Sequence, residues 1–85
     1  MQALQERGGR MYKAKVLLGD VKRANEFVHI CNEVDGRIEL LCGPYVINAK
    51  SIMGIFSLEL TQPMELQAEC TDEDGLAKKI AAFLV

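Results

Sequence analysis

Eighty-five residues with a formal net charge of −2 make one domain around a single modest core. Apolar residues at 49% and charged residues at 26% are the balance of a soluble globular chain, and the slight acidity argues against direct binding to nucleic acid or an anionic membrane. One histidine excludes a multi-histidine metal site, and the three cysteines form no Cys-x-x-Cys pair. No run approaches the ~18 apolar residues that would span a bilayer.

Residues 1–10 carry Gly8-Gly9 between Arg7 and Arg10, show little apolar periodicity and end at a second methionine, Met11. They read as an N-terminal extension to a domain at 11–85. A frayed tail is preferred to a short helix from Gln2 to Arg7 or to material ahead of a start at Met11. The polar start holds no signal-peptide apolar region. Cytoplasmic location follows as an expectation, with Cys31, Cys42 and Cys70 as small core residues in a reducing compartment.

From Tyr12 to Leu18, Tyr12, Ala14 and Val16 alternate with Lys13 and Lys15, the pattern of a half-buried strand. Gly19-Asp20 breaks it. Asp20 is a natural N-cap, and Val21, Ala24, Phe27, Val28, Cys31 and Val34 follow at helical spacing up to Asp35-Gly36. Arg37–Cys42 and Tyr45–Lys50 read as a hairpin about Gly43-Pro44, with Ile38, Leu40, Cys42, Tyr45 and Ile47 on one face.

At Ser51 the period changes from two to about 3.6. The serine is placed to cap a short helix to Leu58, with Ile52, Ile55 and Phe56 as its buried face and Met53 beside the serine. Gly54 is a weak point in that helix. After the turn at Thr61-Gln62-Pro63, Met64, Leu66, Ala68 and Cys70 alternate with Glu65, Gln67 and Glu69, the cleanest strand of the four. Thr71-Asp72-Glu73-Asp74 opens a last helix whose stripe is Leu76, Ile80, Phe83 and Leu84. The order is βαββαβα. One-sided strands and amphipathic helices pack most simply as an α+β open-faced sandwich, a four-stranded antiparallel sheet with three helices on one face.

The run Lys50-Ser51-Ile52-Met53-Gly54 resembles the regulatory-serine segment of HPr, the phosphocarrier family of the bacterial sugar phosphotransferase system, in the form typical of Gram-positive members. The resemblance continues through Glu26-Phe27-Val28, Leu60-Thr61-Gln62 and Thr71-Asp72-Glu73-Asp74. It implies the same open-faced sandwich. In that family a histidine at the start of the first helix carries the phosphoryl group, followed two residues later by an arginine and then a proline. Counting back from Phe27, those places hold Asp20, Lys22 and Arg23, and the preceding loop is several residues shorter.

The chain therefore resembles the histidine-lacking catabolite-repression paralogues. That resemblance implies a regulatory protein rather than an enzyme, with no cofactor or metal. Ser51 is the phosphorylated residue it implies, and Lys50, Ile52, Met53, Lys22 and Arg23 are the partner contacts. An HPr kinase/phosphorylase-like kinase and a transcriptional regulator of the catabolite-control type are the partners. Other readings stay open. Ser51 caps a helix in any case. Asp20 could form an acyl phosphate with Lys22 as counter-ion, although a cap explains it better. His29 could be a relocated carrier, although a solvated histidine is the preferred reading. A structural or oligomeric module without either phosphorylation role is the third, and the short hinge before the first helix favours a homodimer by exchange of the first strand.

Overall fold

The computed structural model describes residues 10–70 and 72–85. The expectations placed on residues 1–9, and on Thr71 as part of the last helix start, lie outside the described residues. The elements are β1 (Arg10–Val16), α1 (Val21–Asn32), β2 (Arg37–Cys42), β3 (Tyr45–Asn48), α2 (Ile52–Phe56), β4 (Met64–Cys70) and α3 (Glu73–Lys79), followed by a 3₁₀ turn at Ala81–Phe83. All pairings are antiparallel, in the order β1-β4-β2-β3. The fold is the α+β open-faced sandwich that the alternations predict.

Period-two alternation decides which face is covered. Val16, Met64, Leu66, Ala68, Cys70, Ile38 and Leu40 point to the helices, where Ala24, Phe27, Val28 and Cys31 of α1 complete one core with Ile55, Leu76, Ile80 and Phe83. Phe27 and Phe83 meet edge to face, their ring centroids 5.2 Å apart. The open face is charged in register. Lys15 stands opposite Glu65, and Glu69 stands between Met11 on one side and Arg37 on the other.

Several local expectations change. Arg10, assigned to the extension, is the first residue of β1, opposite Cys70. Leu17 and Leu18, expected to continue that strand, leave the ladder because Leu17 N–H donates to the Phe83 carbonyl and Gly19 N–H to that of Leu60. The third strand stops at Asn48, where a turn carries Ala49 and Lys50 toward α2. Helix α1 ends at Asn32, closed by the Glu33 N–H on the Ile30 and Cys31 carbonyls, so Val34 packs from the following loop. Val21, Tyr45, Phe56 and Leu84, expected on buried faces, are exposed. Each sits at an element end, where its face has already run past the core. Leu84 instead pairs its backbone with Val16, laying the C-terminus along β1.

The return from α1 into β2 passes through Gly36 at φ +115, and a Cβ there would run into the Glu69 carbonyl oxygen of β4 and lie 3.2 Å from Cys70 Cα. Backbone conformation and space both demand glycine. Gly36→Ala should cost about 2–4 kcal/mol. Urea unfolding followed by circular dichroism checks this, and an unchanged midpoint would contradict it.

Candidate functional site

Two places carry the chemistry suggested by the sequence: the loop from Asn48 to α2 and the junction of β1 with α1. Ser51 has extended backbone, φ −103 and ψ 109, and its Oγ accepts from Gly54 N–H at 3.2 Å. Its carbonyl accepts the first helical bond from Ile55 N–H. Asn48 builds the approach, accepting from Lys50 N–H through Oδ1 and from Ser51 N–H through its carbonyl. Gly54 has a positive role beside the helix cost expected of it. A Cβ there would lie 2.9 Å from Ile47 Cγ2, so its absence lets α2 settle onto β3.

Ser51 is half-buried, so part of the residue faces solvent. Met53 next to it is 80% exposed and Ile52 half-buried. Between α1 and this loop lies a groove of about 370 Å³ lined by Asn25, Val28, His29, Asn32, Lys50 and Ile52. Asn32 Nδ2 ties its floor together, donating to the carbonyls of Val28 at 2.9 Å and Lys50 at 3.1 Å. Lys50, expected beside a phosphoserine, sends its ammonium to the Val34 carbonyl at 2.7 Å. That carbonyl follows the end of α1, where backbone oxygens face outward and favour a cation.

At the other place, Asp20 Oδ1 accepts from Arg23 N–H at 2.8 Å, and the Asp20 carbonyl accepts from Ala24 N–H. The aspartate caps α1, and its carboxylate holds the helix mouth. Lys22 is exposed. Arg23 is turned inward. Its Nε donates to the Leu18 carbonyl at 2.7 Å, its Nη2 to the carbonyls of Ala82 at 2.9 Å and Leu17 at 3.4 Å, and its guanidinium lies 4.6 Å from the Phe83 ring centre. The family resemblance implied Arg23 as a partner contact through its positive charge on the first helix. Bonds across 59 positions to Ala82 have no local signal.

Met53, Ile52 and His29 border the Ser51 side, whereas Asp20 and Arg23 belong to the junction. His29 is exposed on the groove rim rather than at a helix N-terminus. Among the described residues, no group of three histidine, cysteine, aspartate or glutamate side chains could hold a metal ion, and no helix is long and apolar enough to cross a membrane.

A family model described as the PTS HPr component phosphorylation site matches residues 20–85, beginning at the α1 cap and leaving β1 outside the match. Among solved structures, HPr-C-His from Thermoanaerobacter tengcongensis is 27% identical with a TM-score of 0.69, over 86% of this chain and 88% of that one. The catabolite repression containing protein Crh of Bacillus subtilis, described as an intertwined, swapped dimer, is 31% identical with a TM-score of 0.63, over 81% of this chain and 79% of its own. The phosphocarrier protein HPr of Bacillus anthracis str. Ames, at 24% identity and a TM-score of 0.72 over 91% of this chain and 100% of its own, shares the fold. No curated protein matches the sequence.

Behind the groove, burial pushes the Cys31 thiol from its ordinary 9.0 up to about 12, partly countered by the charge of Lys50. Cys70 is raised in the same direction, first by burial. A thiol that keeps its proton longer when folded contributes stability that is fully present below pH 9 and lost as pH rises toward 12. The slope is at most about 1.4 kcal/mol per pH unit. Cys31→Ala should flatten the fall in unfolding free energy across that window relative to the parent. Parallel slopes for the two proteins would contradict the assignment.

Proposed function

The chain belongs to the PTS HPr family, and from that premise we propose that it is a regulatory, interacting member that carries no phosphoryl group on histidine and is phosphorylated on Ser51. The observation that carries this reading is the pairing of a half-buried N-cap serine at Ser51 with a strongly exposed methionine at Met53. A phosphoserine adds about −1.5 to −2 charges and three acceptor oxygens, any of which can take over the bond from Gly54 N–H. Modification then changes the surface without unfolding α2. Ile52 and Met53 give a partner an adaptable apolar contact beside the new charge.

Asp20 supports the loss of histidine chemistry, since its engagement as a cap is the role a helix-opening aspartate ordinarily plays. Lys50 and Arg23 already donate to backbone carbonyls, so the direct hydrogen bonds to the phosphate come from the partner. We assign the modification to a kinase of the HPr kinase/phosphorylase kind. The readout falls to a transcriptional regulator of the catabolite-control kind, in keeping with the name of the Bacillus subtilis relative. The protein acts in the cytoplasm, by binding rather than by turnover. A second copy of the chain is the other partner this reading carries, through exchange of β1.

Incubation with ATP and a serine kinase of that class, followed by peptide mass spectrometry, should place one phosphate, on Ser51. Ser51→Ala should take up none and lose about 1 kcal/mol of stability with its cap. Phosphoenolpyruvate and the phosphotransferase enzyme should leave Asp20 and His29 unlabelled. A phosphate on another residue, or on either of those two, would reject the reading.

A further inference from the structure

We propose that Arg23 is the latch that keeps β1 in its own sheet, and that releasing it passes β1 to a second copy of the chain. The proposal rests on the second-copy reading only for its occupant and is independent of any change at Ser51.

Strand β1 pairs along its whole length with β4, sends Val16 into the core, and is bonded by the C-terminal residues through the Val16–Leu84 bridge and the Val85 N–H on the Lys15 carbonyl. When two chains exchange a strand, those contacts re-form between copies, so they do not decide between one chain and two. The hinge decides. Only Leu17, Leu18, Gly19 and Asp20 separate β1 from α1, a reach of about 14 Å when fully extended. To cross between two bodies these residues must straighten.

Straightening removes a specific set of contacts. Leu18 is fully buried on the closed path, and Gly19 takes φ +94 while its N–H reaches the Leu60 carbonyl. The carbonyls of Leu17 and Leu18 curl back over the first turn of α1, where the Arg23 fork takes both. The same guanidinium holds Ala82 and lies over Phe83, so the fork is braced on the body before it grips the hinge. Arg23 is therefore a positioning residue whose bonds to Leu17 and Leu18 exist only in the closed form. The opened body would bare the whole β4 edge from Met64 to Cys70, a template that the β1 of a second copy fits residue for residue.

Two variants of the full chain test this. Arg23→Met keeps the apolar stem and removes the fork. Gly19→Ala leaves Arg23 in place and strains only the closed hinge, since a Cβ there has room, 3.7 Å from Arg23 Nε. Light scattering over a range of concentrations, after unfolding and refolding, should show the monomer–dimer association constant rising at least about tenfold in each. Isotope-filtered nuclear Overhauser contacts in dimers mixed from labelled and unlabelled copies should join β1 of one to β4 of the other. Equal association constants in parent and variants, with exchanged strands, would overturn the latch while leaving the second-copy reading standing. Absence of dimer from all three proteins would overturn both, and dimers without exchanged strands would overturn the latch. Should Arg23→Met fail to fold, Gly19→Ala decides alone.

Discussion

Everything in this fold leans on β4, the strand that is paired along both edges and buried on one face. Its alternation sends Met64, Leu66, Ala68 and Cys70 into the core and Glu65, Gln67 and Glu69 to the open face. A shift of one residue would put four apolar side chains in water and three polar ones against α1 and α3. Register is therefore set by burial. The same register fixes β1 and β2 on either side, and through β2 the short edge strand β3 whose end delivers Ser51. The site is held by a chain of pairings that starts in the centre of the sheet.

Ser51 works at two levels that need the same geometry. As a cap it supplies the acceptor that a five-residue helix, too short to persist by itself, requires at its first turn. As a surface group it stands beside the most exposed large apolar side chain described, Met53. The loop that presents it is tied to α1 by Asn32 and Lys50.

The sequence disclosed the element order and most of the core because both rest on short-range periodicity, readable in Met64–Cys70 and in Ala24, Phe27, Val28 and Cys31. It misjudged residues at element ends. Val21, Tyr45, Phe56 and Leu84 satisfy the period yet lie past the edge of the covering layer, and a period carries no information about where that layer stops. The caps at Asp20 and Ser51 were legible as local chemistry spanning three residues. The destinations of Lys50 and Arg23 were not, since a long cation beside a helix start reads the same whether it faces an anion or folds back onto carbonyls.

Those two destinations change the electrostatics of the site. Sequence places Lys22, Arg23 and Lys50 near the two helix starts, an apparently electropositive surface ready to receive a phosphate. In the folded chain the Lys50 ammonium donates to the Val34 carbonyl after α1, Arg23 holds the hinge and the C-terminal turn, and the Asp20 carboxylate caps α1. Lys22 remains the exposed one of the three. An anion placed on Ser51 would therefore compete with the Val34 carbonyl for the Lys50 ammonium, and charge at a surface acts on whatever approaches it. A complementary cationic partner gains from it and an acidic partner is repelled.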